Sequence, residues 1–273
     1  IPDSILYDEK KYSFIRLRCR FKLKDKCFPW LHIRGSIYYK GNENLYTSDV
    51  RWKGKYYRYH INKDGEVLDT IQELTLTMVD YLLLLDTYDL YDVEYLDYMW
   101  FNAVTGIFDE YINKYAEIKM NSTGFMRELA KLFLNNLYGK FATSDNSSYK
   151  VPYLGDDNVV HFELVEEHEK KVGYIPVGAA ITSYARNFTI RHAMANYDRF
   201  MYADTDSIHL IGIDAPNMIE EHPTALCKRK CEGKFDIAFY ERQKMYCERM
   251  VEKNHKPCEP DLQIKAAGMS PSA

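Results

Sequence analysis

Apolar and polar residues alternate through Phe14-Ile15-Arg16-Leu17-Arg18-Cys19-Arg20-Phe21, the period-2 pattern of a strand with one buried face. Trp30 to Tyr39 is rich in β-forming residues, and Lys40-Gly41-Asn42-Glu43-Asn44 predicts a turn after it. Residues 52–61 and 65–68 predict two hairpin arms around Asn62-Lys63-Asp64-Gly65. Leu74 to Leu85 fits helix or strand equally well, and Asp92 to Trp100 predicts a strand.

The period then changes. Ile107, Phe108, Tyr111, Ile112 and Tyr115 recur at helical spacing. Asn121-Ser122-Thr123 offers an N-cap for a second helix ending near Phe141. On that helix Lys131, Asn135 and Tyr138 share one face, while Met126, Leu129, Ala130, Phe133 and Leu137 fall on the opposite, packing face. Polar residues 143–149 predict a linker, followed by hairpin arms at 151–153 and 159–164. A third helix is predicted over 177–197, with Thr182 and Arg186 on one face at i, i+4. Two short strands follow, and Phe235 to Cys247 is mixed in character. The fold class expected is α+β.

Composition excludes some functions. The chain has 273 residues, enough for one or two domains. Its longest aliphatic run, Leu82 to Leu85, is far too short to span a bilayer, and no segment reads as a signal peptide. The net charge of −4 argues against wholesale polyanion binding, but residues 227–256 form a basic stretch that fits a phosphate backbone or a solvated helix face. The 24 tyrosines suit half-buried strands as well as interfaces. Cysteines at 19, 27, 227, 231, 247 and 258 show no convincing zinc spacing, so reduced thiols are expected. The histidines, His209 included, read as structural. The chain starts at Ile1 rather than Met, which suggests a fragment.

The chemistry concentrates at Asp204-Thr205-Asp206, flanked by Phe200 and Met201 before and Ile208 and Leu210 after. Residues two apart on a strand share a face, so both carboxylates are expected to converge at the tip of a strand-turn-strand unit. Neighbouring carboxylates repel unless a cation lies between them, and hard oxygen donors suit magnesium or manganese with substrate phosphates. By itself Asp-x-Asp is also a common turn sequence.

Lys131-x3-Asn135-x2-Tyr138-Gly139 followed by Tyr202-x-Asp204-Thr205-Asp206-Ser207 resembles the signature pair of family B DNA polymerases. Tyr39-Lys40-Gly41-Asn42-Glu43, Val93-Glu94-Tyr95, Thr105-Gly106, Lys150-Val151-Pro152-Tyr153-Leu154, Arg242-Gln243-Lys244-x-Tyr246 and Ala267-Gly268-Met269 resemble the protein-primed branch of phages and organellar plasmids. The resemblance covers nearly the whole chain. It implies a partial palm with helical fingers and β-rich insertions. These would divide as 1–106, like the first terminal-protein region; 107–142, fingers; 143–174, a hairpin like the second terminal-protein region; and 175–273, the C-terminal half of the palm.

The resemblance also implies roles. Lys119 and Lys131 would hold the triphosphate, and Asn135 and Tyr138 would form the nucleotide pocket, with Tyr138 excluding a ribose 2′-hydroxyl. Asp204 and Asp206 would be the catalytic, metal-binding carboxylates of a site using two Mg2+ (or Mn2+) ions. Thr182 and Arg186 would contact primer-template, and Lys244 and Tyr246 would steady the primer terminus. The implied partners are primer-template DNA, dNTPs and a terminal priming protein, with no membrane. The implied setting is the cytoplasm of a phage-infected host or an organelle.

Two departures matter. Asn136 stands where the motif usually has Ser. The first catalytic motif, Asp-x2-Ser-Leu-Tyr-Pro, is absent; Asp3-Ser4-Ile5-Leu6-Tyr7 echoes it with wrong spacing and no Pro. By the same resemblance, the exonuclease and thumb regions are expected to lie outside this segment. The expectation is a polymerising parent protein and an inactive isolated segment. An inactive DNA-binding remnant or one subunit of a split polymerase is the alternative. A nucleotide-sugar glycosyltransferase would account for the Asp pair but not for the Lys131 face.

Overall fold

A computed structural model describes residues 3–32, 44–61, 63–142, 147–167, 173–212, 218–222 and 225–266. The expected β-rich segment beyond residue 32, the turn at 40–44 apart from Asn44, most of the linker and the Ala267-Gly268-Met269 motif lie outside the described residues. The elements are α1 (Asp3–Leu6), β1 (Lys11–Leu23), β2 (Val50–Trp52), β3 (Lys55–Tyr57), β4 (Tyr59–Ile61), β5 (Val67–Asp69), β6 (Gln72–Thr77), α2 (Met78–Thr87), β7 (Tyr88–Asn102), α3 (Asp109–Asn121), α4 (Gly124–Phe141), β8 (Ser147–Leu154), β9 (Val160–Glu167), α5 (Ile175–Ala195), β10 (Phe200–Asp204), β11 (Ser207–Leu210), β12 (Gly233–Arg242), β13 (Met245–Lys253) and β14 (Lys256–Ala266). All named strand pairs are antiparallel, and the class is α+β as expected. The chain divides into one unit of residues 1–103 and 184–273 and a second of 104–183.

The first unit is built around β1, which lies between β6 and β7. Its alternation works as the sequence requires. Ile15, Leu17, Cys19 and Phe21 are buried, while Arg16 and Arg18 point outward to Glu73, Glu94 and Asp97. Leu83, Leu84 and Tyr88 close the core over them. Arg20 is buried but compensated: it bonds Asp69 at 2.5 Å, Asp92 at 3.0 Å and the Thr70 hydroxyl at 2.8 Å.

Three sequence expectations change here. The ambiguous segment 74–85 is both structures in succession. Thr77 ends β6 opposite Phe14, and its hydroxyl accepts the Asp80 N–H at 3.2 Å, so one residue closes a strand and caps α2. Residues 52–61 are not one arm. Lys53 and Gly54 both have positive φ, the signature of a two-residue hairpin turn, and split the segment into β2–β3 and the start of β4. The mixed segment 235–247 and most of the basic stretch 227–256 lie in a three-stranded meander, β12-β13-β14, rather than on a helix face.

In the second unit α3 and α4 form an antiparallel helical hairpin. Phe108 meets Phe141, Tyr115 stacks on Phe133 at 4.7 Å, and the Tyr111 hydroxyl donates to Phe133 O at 3.0 Å. The expected packing face is only partly used: Ala130 is buried and Leu129 and Leu137 half-buried, but Met126 is exposed. β8 and β9 form the expected hairpin across Gly155-Asp156-Asp157-Asn158, starting at Ser147 inside the expected linker.

Candidate active site

The Asp pair lies on a hairpin whose open end is closed by Arg199. This side chain donates to Ile211 O and Gly212 O, both at 2.8 Å, while Ile211 N–H donates back to Arg199 O. Phe200 packs on Phe28 at 4.3 Å between ring centroids. β10 then pairs with β11, with Tyr202 opposite His209 and Asp204 opposite Ser207. The turn is therefore Thr205-Asp206. This corrects the same-face expectation: β10 stops at Asp204, Asp206 belongs to the turn, and strand parity does not relate them.

Thr205 has φ +53°. A positive φ at the first turn position alone is the sign pattern of a II′ turn, which normally carries glycine there. A β-branched residue held so is strained, at a cost of order 1–3 kcal/mol, and such strain persists only where the surroundings enforce it.

A second hairpin meets the first. β12 and β13 turn through Gln243-Lys244, with Lys244 at φ +61°. The Lys244 N–H donates to the Tyr202 hydroxyl at 2.9 Å. Its Nζ lies 2.7 and 2.9 Å from the two carboxylate oxygens of Asp204. Hydrogen bonding to Asp204 holds the Lys244 ammonium above its usual range. Thr205 Oγ1 donates to Asp204 Oδ1 at 3.0 Å as well. A cleft of about 540 Å³ beside these tips is lined by His32, Asn44, Tyr202, Ala203 and residues 240–243.

Below the tips is an aromatic cluster. The Tyr202 ring is 5.2 Å from Tyr240 and from Tyr246, and 5.3 Å from His209. His209 Nδ1 lies 2.9 Å from the Tyr240 hydroxyl and 2.7 Å from Oε1 of the buried Glu248. Burial, then the charge on Glu248, pushes the Tyr240 phenol up; the same two causes raise Tyr246. His209 is bonded within this cluster, and its partner Glu248 is one that sequence reasoning missed.

The other candidate residues separate by unit. Arg186 belongs with the Asp pair in the first unit, where its Nη1 donates to the buried Asp80 at 2.6 Å. Thr182, in the second unit, donates its hydroxyl back to Gly178 O and Ala179 O of its own helix. Lys131, Asn135 and Tyr138 are all exposed on α4, and Lys119 is half-buried in the last turn of α3. Within their own unit these four share one helical hairpin.

The donor set fits a hard divalent cation in type but is short in number. Asp204 and Asp206 supply carboxylate oxygens, and the two oxygens of Asp204 already attract a positive charge, the Lys244 ammonium. Among the described residues no three His, Cys, Asp or Glu gather into a metal site, and Cys227 and Cys231 are free thiols. Among the described residues no helix is long and apolar enough to cross a membrane.

Comparison with known proteins assigns this architecture to a family of nucleotide-polymerising proteins. The family model for DNA polymerase type B, organellar and viral, matches residues 57–224. The chain belongs to that family. It is 41% identical over 266 residues to the DNA polymerase of Bacillus phage phi29, covering 93% of this chain and 43% of that relative. It is 33% identical over 264 residues to the DNA polymerase of Streptococcus phage Cp-1, covering 96% of this chain and 43% of the relative. The structure of phi29 DNA polymerase complexed with primer-template DNA and incoming nucleotide substrates matches with a TM-score of 0.82 at 37% identity, over 97% of this chain and 45% of the other. The chain thus spans less than half the length of these relatives.

Proposed function

We propose that this chain is the fingers-and-palm portion of a protein-primed DNA polymerase that adds dNMP to a primer 3′-hydroxyl or a protein hydroxyl under the direction of a template. The observation that carries this reading is the meeting of two hairpin tips, where Lys244 holds Asp204 one residue from a strained turn that presents Asp206. That is an arrangement for placing a phosphate-bearing strand end beside carboxylates. The family match and the 0.82 TM-score to a polymerase with DNA and nucleotide support it.

In this reading Asp204 and Asp206 are the catalytic and metal-binding carboxylates. A bound divalent ion would supply activation of the attacking hydroxyl and charge stabilisation of the leaving pyrophosphate. Lys119 and Lys131 meet the triphosphate as flexible point charges, Asn135 and Tyr138 shape the nucleotide pocket, Thr182 and Arg186 contact primer-template, and Lys244 and Tyr246 steady the primer end. The four-part division at 106, 142 and 174 belongs to the same proposal, as do a terminal priming protein and a phage-infected or organellar setting.

The test is primer extension by the full gene product carrying Asp206→Ala. Loss of synthesis with an unchanged melting curve supports the assignment, and normal extension overturns it. A second reading draws on the Lys244 ammonium, which already lies against both carboxylate oxygens of Asp204. In that reading the segment alone binds DNA in a salt-dependent way without synthesis, as a remnant or a subunit of a split enzyme. Robust extension by the purified segment would exclude it.

A further inference from the structure

The strained turn is held from behind by side chains that no role above uses. Thr189 of α5 donates its hydroxyl to Thr205 O at 3.0 Å. Arg229 Nη1 donates to Asp206 O, and its Nη2 donates to the Thr189 hydroxyl at 2.9 Å. The guanidinium lies 5.0 Å from the Phe188 ring centroid, with its Nε 3.5 Å from His192 Nδ1. Its own backbone is fixed: His222 N–H donates to Arg229 O at 2.8 Å, and Glu221 bridges to it. Phe188, Thr189, His192, Thr205, Asp206 and Arg229 all belong to the same unit. Both carbonyls of the turn are thereby claimed, one by Thr189 and the other by Arg229, and the two clamps are bonded to each other.

We propose that Thr189 and Arg229 are positioning residues for the Asp204–Asp206 hairpin. They hold Thr205 in its left-handed conformation and so fix where the Asp206 carboxylate stands. The physical reason is the φ of +53° at a β-branched residue, a strained conformation that persists only while its surroundings enforce it, here through the carbonyls of Thr205 and Asp206. Arg229 suits the task because a planar guanidinium donates in several fixed directions at once: to the turn carbonyl, to Thr189 and towards His192. Lysine, a single point charge, cannot reproduce that fork. The metal-related part of this inference rests on reading Asp204 and Asp206 as metal-binding carboxylates; the conformational part does not.

The experiment compares wild type, Arg229→Ala, Arg229→Lys, Thr189→Val and the double variant Arg229→Ala/Thr205→Gly in the full gene product. The readouts are Mn2+ affinity by electron paramagnetic resonance and amide hydrogen exchange across residues 200–210. Arg229→Ala and Thr189→Val should each weaken Mn2+ binding about 10-fold or more, the effect typical of removing a group that orients a metal ligand. Both should speed exchange in the hairpin. Arg229→Lys should behave like Arg229→Ala. The double variant should recover most of the Mn2+ affinity, because glycine accepts a positive φ without restraint. A merely structural role would not predict that rescue. Thr189→Val, nearly isosteric, keeps the test open should the arginine variants fold poorly. Unchanged exchange and Mn2+ affinity in Thr189→Val, or no rescue by Thr205→Gly in a folded double variant, would overturn the proposal. If wild type binds no Mn2+ while exchange still responds to Arg229→Ala, the clamp stands and the metal-site reading fails.

Discussion

The Lys244 ammonium spans both carboxylate oxygens of Asp204, at 2.7 and 2.9 Å, while its own N–H is held by Tyr202. One lysine therefore joins two hairpin tips through its backbone and neutralises a candidate metal ligand through its side chain. In a polymerase these duties conflict, since a divalent ion and Lys244 would compete for Asp204. Lys244→Met should tighten Mn2+ binding severalfold while weakening retention of primer DNA. Titration of Mn2+ by electron paramagnetic resonance checks the first effect, and DNA binding across a salt series checks the second. Weaker Mn2+ binding in Lys244→Met would show that the lysine assists the site instead of competing for it.

Arg186 answers to a buried acid as well as to any DNA. Asp80 sits at the N-terminal turn of α2 with its side chain only 8% exposed, and Arg186 Nη1 is 2.6 Å away. Removing the cation takes a charged partner from a buried carboxylate, so Arg186→Ala should cost about 1–3 kcal/mol, reduced from the full buried-pair value because Arg186 is partly exposed. Asp80→Asn/Arg186→Ala should recover part of that loss in urea melts. A residue acting only on DNA would leave the urea midpoint of Arg186→Ala where it was.

Alkaline pH should destabilise the first unit. Burial pushes the Cys19 thiol up to about 11 from 9.0, and burial also raises the phenols of Tyr81 and Tyr88. Between pH 9 and 11 the unfolded chain releases the Cys19 proton while the folded chain keeps it. The unfolded state then binds fewer protons, and stability falls as pH rises through this window. The two-unit difference at Cys19 corresponds to roughly 2–3 kcal/mol at most. Urea midpoints at pH 7.5, 9 and 10.5 should decline in that order, less steeply in Cys19→Ala. At pH 8 the exposed Cys227 should alkylate well before Cys19.

What the sequence revealed followed the range of the forces involved. The β1 alternation, the α3–α4 pair and the β8–β9 hairpin are decided by neighbours within a few residues, and periodicity found them. The Thr77 switch was hidden because apolar residues 74–85 serve a strand and then a helix, and only the cap divides them. The site was half visible. Asp204, Asp206 and Lys244 stood out as motif residues. The support beneath them did not, since Arg229 lies 23 residues from the carbonyl it holds and Glu248 lies 39 residues from His209. Pairings at that distance are set by tertiary register, and no local pattern marks them.

Tyr138 offers a test of the nucleotide pocket that leaves the Asp pair untouched. It is partly exposed on α4, on the face shared with Lys131 and Asn135. If its ring bounds the sugar position, Tyr138→Val should raise incorporation of ribonucleotides relative to deoxyribonucleotides with little change in melting temperature. Selectivity assayed as the ratio of kcat/KM for the two sugars decides it. An unchanged ratio removes Tyr138 from the pocket.

The His209–Glu248 pair should be worth more to the site than to the fold. Glu248 is buried in β13, and His209 Nδ1, 2.7 Å away, is placed between that carboxylate and the Tyr240 hydroxyl. The rings of Tyr202, Tyr240 and Tyr246 pack around them, and Tyr202 in turn receives the Lys244 N–H. His209→Leu takes away the ring nitrogen beside the buried carboxylate and should cost about 1–3 kcal/mol, whereas His209→Leu/Glu248→Leu removes both partners and should recover most of that loss. A double-mutant cycle in urea measures the coupling. The recovered fold should not recover function. Without the pair Tyr202 loses the neighbours that set its hydroxyl beneath Lys244, so the double variant should keep a weakened hold on primer DNA at near-native stability. Native primer binding in that variant would confine His209 and Glu248 to packing.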